Sequence, residues 1–499
     1  IIKQNFMPLK TQNKQLLLYL FSIAVALITY GFALTNFSLT IDSESPIYPN
    51  YSLEHGRWGT NFIRYHLFNG LFPYYTLLFG LLFLSLTAVE MTKILNIKGV
   101  YSYIFCLLFL SFPQHAYQLA FTMQADAVPL AYFMGTLSVA LYLKDCKSKL
   151  WRIFNLSSAI LLLVCTIAVY QILIYVPVIL YLIYFFIQIN NPGVNLKQEF
   201  KNAFVYAGLI VISVCFYLVS LKLFVEAANG SYLDSYASGD NRNPFTAFYN
   251  LLVDNVYGSF YYGEKPFLIS TICILVCVIW SVKEKNNAWL KILIFIALLI
   301  IPFSMSFFIR NGYHPPRLYV GTTIIFAFII VFVLQKIPKH YFNQILFTAV
   351  LLYLWNVFYV TNLFYTQNKI FKHDLEIAKD IKQKIDAFDD FNSESDYVYF
   401  YGRIDESHHN KFSLPNAEVF GASILRWGNG DNWPMINFFK FNDIAYYRFL
   451  DDETSFNKVK NNISKMPVYP KKGSIQKFEN VVVVKFSQEK GFSRYEWEK

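Results

Sequence analysis

QLLLYLFSIAVALITYGFAL, residues Gln15 to Leu34, runs for 20 positions without a charge, and the acidic stretch Ile41-Asp42-Ser43-Glu44-Ser45-Pro46 follows a few residues later. A helix rises 1.5 Å per residue, so about 20 apolar residues cross the ~30 Å hydrocarbon core of a bilayer. The run is too long for a signal-peptide core and no small-residue cleavage site follows it, so it reads as a retained first span. The same length rule picks out runs near 73–94, 99–118, 125–143, 153–170, 172–189, 203–225, 267–282, 290–309, 318–335 and 342–364. The expected fold is a polytopic α-helical membrane protein of about eleven transmembrane helices.

Composition agrees. Hydrophobic residues make up 55% of the 499 positions and charged residues only 15%, and mean hydropathy is +0.35. An ordinary soluble domain does not tolerate that balance. The 50 Phe and 37 Tyr suit acyl chains and the headgroup zone, so they carry no cofactor signature. The net charge of +10 is scattered over short loops instead of gathered into a stripe, which argues against a nucleic-acid partner. The six cysteines show no metal spacing, and no disulfide is expected.

Lysine and arginine set the orientation. With the N-terminus inside, sixteen of them fall in the inner segments, and only Arg57, Arg64, Arg242, Lys265, Arg310 and Arg317 fall in the outer ones. The expected location is therefore a multi-pass cytoplasmic membrane with the C-terminal end outside. The inner loops are short, whereas the outer ones run over 36–72, 226–266 and 367–499. Two domains follow: a transmembrane part, 1–366, and an extracytoplasmic segment, 367–499. The second opens with a charged helical stretch, Asn368 to Phe388, and continues with β-rich runs at Tyr397 to Tyr401 and Val481 to Phe486, the pattern of a small α/β domain.

The chemistry-bearing residues cluster in the outer loops. In an extended segment, residues two apart project to one side, so Asp42 and Glu44 can face one small volume at the membrane surface. Near low dielectric such a pair supplies a general base beside a charged partner, or oxygen ligands for a divalent cation such as Mg or Mn. The plain alternative is two solvated loop acids. Glu54-His55-Gly56-Arg57-Trp58-Gly59 comes next. Arg57 offers a planar fork for phosphate and Trp58 a face for a sugar or an isoprenoid chain, while His55 stands beside them; interfacial anchoring is the competing reading. The residues that follow, Asn61 to Leu71, have the pattern of an interfacial amphipathic helix.

Asp126 is an acid at the outer start of a span, a costly position. It has a functional reading and two structural ones: a helix cap, or a partner for Arg57. Tyr170 and Gln171 form a very tight outer turn that sets two neutral hydrogen-bonding groups at the same level, though a simple turn explains them as well. Arg310, His314 and Arg317 surround Pro315 and Pro316 on the side that cations normally avoid. They fit an anionic lipid headgroup, or pairing with the acids above.

An acidic pair after span one, a Gly-Arg-Trp a dozen residues on, a Tyr-Gln at the outer end of span five and an outer C-terminal domain together resemble the bacterial type II glucosyltransferases (Gtr), serotype-converting members of the polytopic GT-C class. The resemblance implies a polyprenyl-phosphate-linked sugar donor within membrane lipid, glucose as the sugar, and a surface polysaccharide such as O-antigen of lipopolysaccharide, or a lipid-linked glycan, as acceptor. It further implies that Asp42 is the base, that Glu44 orients the acceptor or helps to hold a metal, and that Arg57, Arg310, His314 and Arg317 stabilise the leaving phosphate. No second carboxylate is placed as a nucleophile, so inversion is favoured. The rival readings are another envelope-glycan polymerase or ligase, and a lipid or polysaccharide transporter; the ionisable groups sit at span ends, not at midplane.

Overall fold

The computed structural model describes residues 9–43, 51–68, 72–146, 148–191, 193–224, 243–284, 287–307, 314–405 and 414–498. It divides into two compact units, one of Ile1–Thr35 with Tyr48–Thr361, the other of Asn36–Ile47 with Asn362–Lys499.

The first unit is helical. Its elements are α1 (Leu9–Thr35), α2 (Tyr51–Glu54), α3 (Trp58–Asn61), a π-helical turn (Phe62–Leu67), α4 (Pro73–Ile94), α5 (Val100–Ser111), α6 (Gln114–Leu119), α7 (Ala127–Leu143), α8 (Lys149–Val169), α9 (Tyr175–Ile189) and α10 (Leu196–Phe224). They continue with α11 (Pro244–Tyr257), α12 (Phe267–Glu284), α13 (Ala288–Ile300), α14 (Gly321–Lys336) and α15 (Phe342–Asp386), of which the part from Asn362 onward belongs to the second unit. Among the described residues, eight helices are long and apolar enough to cross a membrane: α1, α4, α8, α9 with its lead-in turn, α10, α12, α13 with its 3-10 continuation, and α15.

The other three apolar runs form shorter helices, for local reasons. α5 stops at Ser111 because Phe112 precedes Pro113 and takes the extended conformation that the proline ring imposes. α7 starts at Ala127 on the Asp126 cap, and α14 starts only after Pro315 and Pro316 and a 3-10 turn. These short helices are central: 12 of the 16 residues of α14 are buried, whereas only 28% of the most apolar window of α10 is. α10 turns Phe204, Val211, Phe216 and Leu223 outward, as a lipid-facing helix does.

The last apolar run and the charged stretch after it are one helix, not two. α15 has 45 residues with no Gly or Pro to break it, so the change from apolar to charged sequence passes without a stop.

The second unit carries a four-stranded sheet of order β2-β1-β4-β3, with β1 (Tyr397–Tyr401), β2 (Arg448–Phe449), β3 (Ile475–Phe478) and β4 (Val481–Lys485). β1 is parallel to both β2 and β4, and β3 is antiparallel to β4. All of β4 is buried, as expected of an apolar strand covered on both faces. Helices α16 (Asn432–Phe441) and α17 (Glu453–Ile463) complete the unit. Asp452 caps α17 by accepting from Thr454 and Ser455 N–H, and Phe456, Val459 and Ile463 pack against Tyr399, Val481 and Val483. Where β2 ends, the Asn432 amide takes the place of a strand: it donates to the Phe400 carbonyl (2.7 Å) and accepts from the Phe400 N–H (2.6 Å). Buried Lys485 closes the end of α17, its Nζ donating to the Ile463 and Met466 carbonyls at 2.9 Å each; burial lowers its pKa.

Candidate functional site

The acidic loop after α1 is built by contacts within the second unit. Asn368 Nδ2 donates to the Phe37 carbonyl (3.0 Å), Gln367 Nε2 donates to the Leu39 carbonyl (2.6 Å), and Phe37 meets Phe371 edge to face. The segment then turns: Ser43 N–H donates to the Thr40 carbonyl (3.2 Å), and the two hydroxyls lie 3.0 Å apart. Asp42 occupies the third position of this turn with φ +66°, a left-handed conformation that Asp tolerates better than most residues. The extended geometry expected to align Asp42 with Glu44 is therefore absent at Asp42, because the turn rotates its half-buried side chain out of a strand's alternation. Glu44 lies outside the described residues, as does Arg310. Among the described residues, no three His, Cys, Asp or Glu side chains gather as metal ligands would.

The His55-to-Trp58 stretch and the Tyr170-Gln171 turn come together in the first unit. Gln171 Nε2 donates to the His55 carbonyl (2.7 Å) and to the Tyr217 hydroxyl (2.9 Å), which in turn donates to the Gly56 carbonyl (3.0 Å). Trp58 Nε1 donates to Ser220 Oγ (2.9 Å), and Thr60 Oγ1 donates to the Val169 carbonyl (2.8 Å). Both glycines of the motif are required. Gly56 has φ +70°, and a Cβ on it would lie 2.8 Å from the Tyr217 hydroxyl; a Cβ on Gly59 would lie 2.9 Å from the backbone of Ala168. Trp58 is thereby committed to α10, where its ring lies 4.9 Å from that of Phe224.

Arg57 is the member of this cradle left available. Its guanidinium lies 4.4 Å over the Tyr170 ring, Nε is buried without a hydrogen-bond acceptor, and no carboxylate pairs with it among the described residues.

Asp126 does not pair with Arg57. Its partner is Arg64, with Nη2 2.5 Å from Oδ1, and the side chains are 4% and 0% exposed. Asp126 Oδ1 also accepts from the Ala127 N–H (2.7 Å), and Arg64 Nε donates to the Met123 carbonyl (3.1 Å). The capping role read from the sequence is present, and the partner is the arginine seven residues after Arg57. That stretch, Phe62 to Leu67, is a π-helix that buries Ile63 and Arg64 and leaves Phe62 and Leu67 exposed, a two-faced arrangement with fewer residues than the amphipathic helix expected.

The proline-rich loop before α14 packs on α6. Gln118 Nε2 donates to the Arg317 carbonyl (2.6 Å), Gln114 Nε2 donates to the Pro316 carbonyl (3.3 Å), and the Arg317 guanidinium lies 4.8 Å over the Phe121 ring. His314 is half-buried at the start of the same segment. Beside Tyr319 stands a group the sequence reading missed. Glu264, 1% exposed, accepts from the Phe260 N–H (2.8 Å), close to Tyr117, Tyr261 and Tyr319. Burial pushes its carboxyl well above the usual carboxylate range, against the opposing pull of the Phe260 and Tyr261 N–H groups. Only its place beside Lys265 in the segment before α12 hinted at it, because a lone Glu between aromatics forms no motif.

These features define a helical membrane protein with several apolar spans and an arginine-centred polar cradle at the end of α8. The sequence model of the family glucosyl transferase GtrII matches residues 31–334, so the chain belongs to that glycosyltransferase family. No curated protein matches the chain, and no solved structure does.

Proposed function

We propose that the chain transfers a sugar, glucose in keeping with its family, from a polyprenyl-phosphate donor to a surface glycan on the outer face of a bacterial cytoplasmic membrane. In this reading all eleven apolar helices span the bilayer, α5, α7 and α14 doing so as short central helices, with the N-terminus inside and the second unit outside. The observation that carries the proposal is Arg57: a guanidinium stacked on Tyr170, with one N–H buried and unmet, inside a family of glucosyl transferases. The departing polyprenyl phosphate supplies the acceptor oxygens that such a fork lacks. Arg310, His314 and Arg317 add positive charge for the same group. His55, Trp58, Tyr170 and Gln171 shape the cradle, and Asp126 acts through Arg64 as a positioning residue.

Asp42 is the proposed base. Removing the proton from an acceptor hydroxyl on one face of the sugar while phosphate leaves from the other is a direct displacement, which inverts the anomeric carbon. Glu44 orients the acceptor or, with Asp42, holds a divalent cation. The test is the surface-glycan structure of cells carrying the wild type, Asp42→Asn or Glu44→Gln at equal membrane levels. Loss of a side-branch sugar in Asp42→Asn is the expected result. Normal decoration by both variants removes the site and favours the transporter reading.

A further inference from the structure

The second unit contains a cavity of about 480 Å³, within the ~300–1,000 Å³ range of small-ligand sites. Its position follows from the sheet. β1 and β4 are parallel and in register from Tyr397↔Val481 to Tyr401↔Lys485, so their carboxyl ends are level at one edge. The chain leaving β1 supplies Arg403, Ile404 and Asp405 to the cavity, and the chain leaving β4 supplies Phe486 to Lys490. Open parallel sheets bind ligands in the crevice outside the carboxyl ends of their strands, which is where this cavity lies.

A third segment closes it. Arg426 and Asn429, which precede α16, join the lining. Ile404 N–H donates to the Leu425 carbonyl (3.2 Å), Arg426 Nη1 donates to the Ile404 carbonyl (3.3 Å) and Phe492 N–H donates to the Asn429 carbonyl (2.8 Å). Two main-chain bonds and one from the Arg426 guanidinium thus fix the walls, while the side chains of Arg403, Asn429 and Glu489 stay exposed.

The lining chemistry selects the ligand class. Three cations, Arg403, Arg426 and Lys490, nearly balance two carboxylates, Asp405 and Glu489, and Asn429, Ser487 and Gln488 add groups that donate and accept. Two carboxylates oppose a polyanion, and the charged rim opposes a lipid chain. A hydroxyl-rich ligand, which donates to carboxylates and accepts from guanidinium and amide, fits both. The geometry points to a saccharide-binding cleft in the second unit, and, given the glycosyl-transfer reading on which this step rests, its occupant is a segment of the acceptor glycan.

The test titrates the full-length protein in detergent with oligosaccharides released by mild acid from the surface polysaccharide of the source cells. The same oligosaccharides then serve as acceptor in a transfer assay. Arg403→Ala and Asn429→Gly are the variants. The first truncates an exposed side chain, and the second keeps the left-handed backbone of Asn429, φ +57°, without strain. Each is expected to raise the Kd for the oligosaccharide and the acceptor KM at least about tenfold, with kcat, donor KM and melting temperature unchanged. Wild-type Kd and acceptor KM in both variants would overturn the cleft and leave the transferase reading standing. Oligosaccharide binding that is lost in the variants, from a wild-type protein that transfers no sugar, would uphold the cleft and remove the transferase reading instead.

Discussion

Arg57 and Arg64 lie seven residues apart in one segment between α1 and α4, yet the two regions they organise differ in kind. Arg64 is enclosed and paired: Asp126 at 2.5 Å, the Met123 carbonyl at 3.1 Å, and almost no exposure on either side of the pair. Around Arg57 the neighbours hold the backbone, through Gln171 and Tyr217, while the guanidinium rests on an aromatic ring with no carboxylate beside it among the described residues. Removing a charge from water is costly, and the cost is offset only when a partner is held in good geometry. Arg64 meets that condition within the fold. Arg57 meets it fully only when something anionic arrives, which is why the first reads as framework and the second as a receiving group.

The sharpest way to break this contrast is to remove Asp126. Asp126→Ala leaves the Arg64 guanidinium buried and unpaired and takes the cap from α7, so a loss of about 3–5 kcal/mol is expected. The measurement is the thermal melting and folded yield of the protein in detergent. A double change, Arg64→Met with Asp126→Leu, removes both charges and should recover a large part of the loss. If Asp126→Ala melts like the wild type, the pair is not framework and the contrast fails.

Arg57→Ala should do the reverse. Melting is expected to stay within about 1 kcal/mol of the wild type, because the fold uses the backbone of this residue more than its charge. Transfer from a polyprenyl-phosphate-linked donor should fall on the order of 10²-fold, the size of losing one preorganised donor to a developing negative charge. Arg57→Lys should restore little, since an ammonium lacks the planar fork and stacks poorly on Tyr170. A variant that unfolds but, where folded, transfers normally would place Arg57 with Arg64.

What the sequence made legible follows the range of the forces involved. Apolar runs are local, so every long apolar helix was readable, and β1 and β4 were readable from their β-branched and aromatic content. Helix ends were readable only where the local stop was recognised: Pro113 cuts the run near 99–118 to the 12 residues of α5, and the lack of any breaker makes α15 a single helix of 45 residues. Tertiary geometry was not readable. The turn that carries Asp42 is anchored by Gln367, 328 positions away from its Leu39 partner, and no local spacing rule contains that bond. Arg64 was passed over for Arg57 because its neighbours form no motif, whereas Gly56, Gly59 and Trp58 made Arg57 conspicuous. The glycines were read as permitting close backbone approach, and the structure shows that approach, to Tyr217 and Ala168.

The low end of the same scale is found at Asp396 and Lys477, 2.9 Å apart beside the sheet of the second unit. Burial acts to raise the Asp396 pKa, but the Asn392 N–H, the Lys477 ammonium and the Ser395 hydroxyl together outweigh it, and the carboxyl is held below its usual range. The sign follows from linkage. A carboxyl with a lowered folded-state pKa contributes stability that is complete above the unfolded value of about 3.9 and is lost as pH falls through the folded one. Melting temperature should therefore decline in acid from about pH 5 downward, and Asp396→Asn should flatten part of that decline while lowering stability slightly at neutral pH. Neutralising Asp396 leaves Lys477 within reach of Asp390 at 3.0 Å and of water, so the loss should be far smaller than that at Asp126. An Asp396→Asn protein that is as crippled at neutral pH as Asp126→Ala would mean that burial does not set the scale on which these ion pairs, and with them Arg57, are ranked.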